Sequence, residues 1–320
     1  MFRTPLVAAL LLTAPALAQT DLNLLRPWPE DGGYSSITAQ TLLFADSDTD
    51  NPGPNGGDAD FDLNIYQLSG RVRLDTSLEH APALGFRLKY LDLNTNDAAL
   101  PERLVDQAVA VGLPLGEWEG WEFGLIAGLG YAGDTPFDDA DAIYGLATVS
   151  ARTQLDEKSS LTLLLRYDGN SNIFPDVPLP GIAYARTANE QLSYTVGVPV
   201  STINWTPDDK LTIRVAYLLI DTFIVGVDYE LTEDWTLFAL FDSSTDAFKL
   251  ETQDHDRLFF TQRRVEGGAR WQPLPQVELI AAAGFAFSQE FNVGFDARDL
   301  DEVAEVEDTP YLRLGLRVEY

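Results

Sequence analysis

The sequence offers few groups for catalysis, since it contains two histidines and no cysteine. His255 lies between Asp254 and Asp256, and a histidine oriented by a carboxylate is a common general base in hydrolases. Adjacent residues of an extended strand point to opposite faces, however, so neither aspartate would align the imidazole of His255. The other histidine, His80, has no nucleophile beside it. We therefore predict no enzymatic activity, with a hydrolase around His255 at a loop as the alternative.

Three aspartates at alternate positions, Asp46, Asp48 and Asp50, are the candidate cation ligands. Ca²⁺ prefers about six to eight oxygen ligands from closely spaced carboxylates. Pro52 interrupts this stretch, and Gly57 stands where a calcium loop has its bidentate glutamate. Solvated acidic loops explain these residues better, so we predict no metal site and no cofactor, and keep the three aspartates as a weak candidate.

The two ends of the chain predict export. Residues 1–18 read MFRTPLVAALLLTAPALA, with a cation at Arg3, an apolar core and a small-residue triplet that ends at Ala18. This pattern is typical of a cleaved secretory signal peptide. No later segment reaches the roughly 20 apolar residues that a spanning helix needs. The net charge of −29 argues against nucleic acid as a partner.

The remaining chain alternates apolar and polar residues with a period of two, which predicts β-strands. In 121–131 one parity carries large apolar residues and the other carries mainly glycine. Comparable segments predict fourteen strands, or twelve if the weak segments 34–45 and 105–115 do not span. The predicted strands are about 34–45, 61–76, 83–91, 105–115, 121–131, 142–154, 158–168, 190–205, 209–218, 221–231, 234–243, 257–272, 276–288 and 309–320.

The links between these segments alternate in length. Short links such as TPDD and PLPQ alternate with long acidic ones. Tryptophans stand beside the short links, as expected for rings at a membrane interface. An even number of strands with short turns on one side and long loops on the other is typical of an outer-membrane barrel. The tryptophans in question are Trp118, Trp121, Trp205, Trp235 and Trp271.

The last segment, YLRLGLRVEY, alternates strictly and ends on an aromatic residue. It resembles the C-terminal insertion signal of bacterial outer-membrane proteins. The resemblance implies that the periplasmic barrel assembly machinery reads Leu316, Val318 and Tyr320. Outer-membrane lipid and lipopolysaccharide are then the expected surroundings of the barrel in a Gram-negative cell.

A second resemblance covers roughly residues 165–290. The segments NSNIFPDVPLPGIAYARTANEQLSYTVGVPVSTINWTP, VDYELTEDWTLFALFDSSTDAFKLE and DRLFFTQRRVEGGARW follow one another there. They are similar to an uncharacterised family of bacterial barrel domains, a domain of unknown function seen in bacteria such as planctomycetes. The resemblance implies the barrel fold and no activity.

The polar parity of a membrane barrel lines its lumen. If the lumen is open, arginines along it favour anionic solutes. Alternatively, these arginines pair with carboxylates across neighbouring strands and fill a closed lumen. The candidate selectivity residues are Arg71, Arg87, Arg166, Arg214, Arg264, Arg313 and Arg317.

The link 170–188 differs from the other long links because it is apolar and rich in proline. Ile173, Phe174, Val177 and Leu179 are poor choices for a loop in water. We expect the link to fold onto or into the barrel mouth, either as a constriction of the pore or as a plug.

Together these features predict an all-β protein with one transmembrane, antiparallel, up-and-down barrel. The predicted parts are the signal peptide 1–18, an irregular periplasmic segment 19–33 and the barrel 34–320. Pro199 is expected to cause a bulge in the strand 190–205. The leading functional hypothesis is a porin-like channel for passive passage of small, anionic solutes. The alternative is a non-conducting structural or surface-interaction barrel whose acidic loops bind cations.

Overall fold

The structure is a computed structural model that describes residues 24–25, 35–50, 59–75, 81–97, 99–137, 140–218, 222–251 and 256–320. The described part is all β apart from one 3-10 turn at Ala140–Ala142. Among these residues no helix is long and apolar enough to cross a membrane.

Eighteen strands follow one another along the described chain. They are β1 (Ser35–Phe44), β2 (Ser47–Asp50), β3 (Ala59–Arg73), β4 (Ala83–Thr95), β5 (Arg103–Trp118), β6 (Trp121–Gly133), β7 (Ile143–Asp156), β8 (Ser159–Asp168), β9 (Leu179–Thr187), β10 (Leu192–Val198), β11 (Val200–Trp205), β12 (Leu211–Leu218), β13 (Thr222–Glu230), β14 (Trp235–Lys249), β15 (Arg257–Leu274), β16 (Val277–Gly294), β17 (Asp301–Val306) and β18 (Thr309–Glu319).

The sheet closes into a barrel of 16 strands. Consecutive barrel strands pair antiparallel, and β1 closes the barrel by pairing with both β18 and β3. The short strands β2 and β17 pair with each other and extend one rim. The predicted all-β antiparallel barrel is confirmed, whereas the predicted counts of 14 and 12 strands are wrong.

Both missing strands lie between β8 and β12. The predicted long link after residue 168 contains β9, and the predicted strand 190–205 is a hairpin of two strands, β10 and β11, that meet at Pro199. Proline has no N–H to donate to a ladder. The structure therefore has a turn between two strands at Pro199, not the predicted bulge.

The two faces of the barrel wall differ as the alternation predicts. On β18, Leu312 and Leu314 are 57% exposed on the outer face, while Arg313 between them is 4% exposed inside. Tryptophans lie at the strand ends beside the short turns, and the rings of Trp235 and Trp271 stack at 5.7 Å. The outer face is thus an apolar belt that suits a lipid bilayer.

The end of the barrel that carries the long links, called the upper end, contains an apolar core. There β6 and β14 touch across the lumen, where Gly133 pairs with Lys249 in parallel register. This contact separates a packed lobe, formed by β1–β6 and β14–β18, from a side lobe, formed by β7–β13. The packed lobe holds most of the largest buried residues, including Phe61, Leu91, Phe248, Phe260 and Phe291.

At the opposite, lower end, Leu24 lies inside the lumen and is only 3% exposed. Three glycines of the wall leave room for it and for Leu25. A Cβ on Gly85, Gly112 or Gly124 would lie within 2.8 Å of Leu24 or Leu25. The described part of the segment predicted as irregular and periplasmic thus packs into the lower end of the packed lobe.

Candidate functional site

The interior charges of the barrel form ion pairs. Asp228 of β13 binds both Arg214 of β12 and Arg270 of β15, the latter at 2.9 Å. Most of these side chains are less than a tenth exposed. The pairs among the predicted lumen arginines are Arg87–Asp106 (3.5 Å), Arg166–Asp168 (2.7 Å), Arg214–Asp228, Arg264–Asp242 (2.7 Å), Arg313–Glu266 (2.5 Å) and Arg317–Glu278 (3.3 Å).

This arrangement corresponds to the second of the two alternatives, in which arginines and carboxylates neutralise each other. Arg71 lies half-buried on the same lumen parity of β3. Removing one partner of such a pair is costly, because the other charge then stays buried without compensation. A role of these arginines in selectivity stays a prediction.

A cavity of 280 Å³, the upper cavity, lies at the upper end of the side lobe. Its wall is apolar and comes from β8, β9, β12 and the hairpin tip at Pro199. Its floor is polar and comes from β4, β5, β8, β13 and β14. The lining includes Leu164, Leu179, Val198, Pro199 and Leu218 in the wall and Arg87, Asp106, Arg166, Asp168, Thr222, Ser244 and Asp246 in the floor.

The roof of the upper cavity is the link 169–178. Strand β14 continues to Lys249, but its neighbour β13 begins opposite Ser244. Backbone carbonyls beyond that point therefore lack a strand partner on this side. Asn172 Nδ2 donates to the Thr245 carbonyl at 2.7 Å, and Asn170 Nδ2 donates to the Ala247 carbonyl at 3.0 Å. The link thus crosses the side lobe and docks on the edge of β14.

Two arginines hold the link from the far side. Arg257 donates to the Asn170 side chain at 3.2 Å and to the Ser171 carbonyl at 3.1 Å. The guanidinium of Arg298 lies 3.9 Å from the ring centre of Phe174, and it also binds Asp296 at 2.5 Å. Its hydrogen bonds are the main reason that the pKa of Asp296 falls to about 2.

The predicted apolar residues of this link all line the upper cavity. Ile173 is buried, whereas Phe174 and Val177 are partly exposed. Leu179 belongs to strand β9, so the second half of the predicted link is barrel wall. No motif in the sequence predicts that Asn172, Arg257, Asp296 and Arg298 hold the link. One signal was available, because Asn170 and Asn172 are two positions apart. This spacing places both side chains on the same side of an extended chain.

A second cavity of 230 Å³, the lower cavity, lies in the same side lobe at the lower end. Arg152, Ser160, Ala185, Ser193 and Thr195 contribute to its lining. On β8, β9 and β10, the lumen-facing residues between the two cavities are small. They include Thr162 on β8, Gly181 and Ala183 on β9, and Gly197 on β10.

The candidate metal and hydrolase residues gain little support. Asp48 and Asp50 lie in β2 and Asp46 directly precedes it. Within the described ranges, no group of three histidine, cysteine or acidic residues could hold a metal ion. His80, Asp254 and His255 lie outside the described residues, so the hydrolase alternative stays a prediction.

A comparison with curated proteins finds no match to this chain. Among solved structures it is similar to the TodX deltaS2S3 mutant monoaromatic hydrocarbon channel, with 10% identity, a TM-score of 0.45, and 96% of this chain and 94% of that chain covered. It is also similar to the Pseudomonas putida toluene transporter TodX, with 9% identity, a TM-score of 0.39, and 96% of this chain and 93% of that chain covered. A third similar structure is a Pseudomonas aeruginosa FadL homologue, with 12% identity, a TM-score of 0.39, and 90% of each chain covered. At these TM-scores the similarities carry no argument about function.

A family model matches the C-terminal part of the chain. The predicted resemblance to an uncharacterised barrel family is thereby confirmed, although the matched range lies further along the chain than the predicted 165–290. A link to planctomycetes stays a prediction. Residues 185–319 match the family model described as Domain of unknown function (DUF6268).

Proposed function

We propose that this protein is an outer-membrane channel through which small solutes pass along the side lobe. The observation that carries the proposal is the pair of cavities at opposite ends of that lobe, 280 Å³ above and 230 Å³ below. The wall between them presents small lumen residues such as Gly181, Ala183 and Gly197. The apolar outer belt and the closed barrel support the membrane location, and the predicted export signal agrees with it.

The packed lobe is a poor route for solutes. Its upper end is filled by aromatic and leucine side chains, and its lower end is filled by Leu24. Its middle contains ion pairs such as Arg264–Asp242 and Arg313–Glu266. Water and solutes would have to displace well-packed side chains there. The side lobe therefore provides the route, and the docked link 169–178 acts in it as a constriction.

Strong anion selectivity does not follow from this arrangement. Arg87 and Arg166 line the upper cavity, but Asp106 and Asp168 bind them there. Fixed charges of both signs along a pore leave little net field to select one sign of solute. We propose weak selectivity by charge and a limit by size at the link.

The test is a matched pair of neighbours on β9. Ala183 faces the lumen between the cavities, and Ile182 next to it is 51% exposed on the lipid face. The native chain should show stepwise conductance in planar bilayers. Ala183→Trp should lower the unit conductance several-fold, because the ring would occupy the narrow middle of the route. Ile182→Trp should conduct like the native chain.

Absence of channels from folded native protein would contradict the proposal and favour the non-conducting structural barrel. Equal conductance of both variants would place the route outside the side lobe. Closure of the barrel is a convenient check of folding, because an intact barrel resists detergent until it is heated.

The last strand supports one further proposal about partners. Leu316 and Tyr320 are exposed on the outer face of β18. In the closed barrel both edges of β18 are paired, with β1 and with β16. We propose that the assembly machinery reads Leu316, Val318 and Tyr320 before the barrel closes, and that lipid and lipopolysaccharide cover this face afterwards.

A further inference from the structure

We infer that the upper cavity is a binding site for a small neutral amphiphile, a molecule with a compact apolar body and one uncharged hydrogen-bonding end. The inference rests on the proposed function, because it identifies the solute that pauses in the side lobe during passage. It depends on the shape of the cavity and on the charges around it.

The apolar body is matched by the wall. Leu164, Leu179 and Leu218 present aliphatic side chains, Pro199 adds its ring, and Ile173 of the roof closes the cavity from above. Burying the apolar body against such a surface is favourable because it removes apolar area from water. The volume of 280 Å³ is just below the range of about 300–1,000 Å³ typical of sites for drug-sized ligands. The cavity therefore suits a small molecule.

The charges around the floor cancel. Arg87 binds Asp106, Arg166 binds Asp168, and Lys89 binds Asp246. The three carboxylates are 7%, 11% and 8% exposed, respectively, so water screens them poorly. An anionic ligand would approach three carboxylates, and a cationic one would approach three cations.

A charged end group would thus lose its hydration without gaining a partner that is not already bound, which is costly. An uncharged end group loses less on burial and can bond to hydroxyls. Thr222 and Ser244, which are opposite each other on β13 and β14, present two hydroxyls at the floor. These side chains can accept a hydrogen bond or donate one.

Three probes of similar size separate the alternatives: 4-fluorobenzyl alcohol, 4-fluorobenzoate and 4-fluorobenzylammonium. Binding of each to the full chain in lipid nanodiscs is measured by fluorine NMR titration. We expect the alcohol to bind at least about tenfold more tightly than either ion. The variant Leu164→Trp, which fills the cavity, should abolish this binding. Leu165 is on the lipid face, so the control variant Leu165→Trp should still bind the alcohol. This control also corrects for partition of the probe into lipid.

A second pair of variants with smaller changes keeps the test valid if Leu164→Trp does not fold. Ser244→Ala should weaken binding of the alcohol several-fold, whereas Ser243→Ala on the opposite face of β14 should not. Tighter binding of the benzoate or the ammonium probe would overturn the neutral class. Unchanged binding in Leu164→Trp and Ser244→Ala would overturn the site. In either case stepwise conductance of the native chain would leave the proposed passage intact, since that measurement does not depend on these probes.

Discussion

Gly268 on β15 shows how closely neighbouring strands approach inside the barrel. A Cβ at this position would lie 2.4 Å from the carbonyl oxygen of Ala281 on β16, which is backbone and cannot rotate away. A Cβ on the neighbouring Gly267 would have its nearest atom, the carbonyl oxygen of Phe238, 3.7 Å away. We expect Gly268→Ala to destabilise the barrel by about 1–3 kcal/mol through overpacking, and Gly267→Ala to change stability by less than about 0.5 kcal/mol. Thermal unfolding in detergent measures both, and equal shifts would contradict the steric argument.

The link 169–178 depends on the pair Asp296–Arg298. Because the pKa of Asp296 is about 2, below the ordinary aspartate value of about 4, the pair stabilises the docked link fully above about pH 4 and loses this effect as the pH falls through 2. The chain has no cysteine, so Val177→Cys accepts a single nitroxide label. The label should become mobile as the pH falls through about 2, and Arg298→Ala should move this transition upward toward pH 4. A label with the same mobility at pH 6 and pH 2 would rule out the clamp.

At the scale of the whole molecule, the two lobes should differ in local stability. Strands β10 and β11 have 7 and 6 residues, whereas β15 and β16 have 18 each and face the packed core. Local opening costs least where strands are short and few apolar contacts are lost. Amide hydrogen exchange in detergent should therefore be at least about tenfold faster in β10 and β11 than in β15 and β16. Equal amide exchange rates around the whole barrel would show that the two lobes do not differ in local stability.

Much of the fold could be predicted from the sequence, because the alternation of side chains along a strand is a local property. Leu312, Arg313 and Leu314 take opposite faces of β18 for this reason alone. The same pattern places the tryptophans beside the short turns, because aromatic rings settle at the membrane interfaces. It also predicts closure by the last strand, because a sheet in a bilayer can leave no backbone polar group unpaired. The link with Ile173 and Phe174 was recognised because apolar side chains in a surface loop are costly.

The strand count and the interior depended on contacts that no local pattern shows. Pro199 ends one ladder and separates β10 from β11, and only the pairing of β9 with β8 shows that the link contains wall. Lys89 and Asp246, 157 positions apart, meet because β14 crosses the lumen toward β6. The sequence by itself determined which residues face inward. The tertiary structure alone decided which inward charges cancel and which lobe holds the two cavities, because those outcomes depend on which distant strands face each other across the lumen.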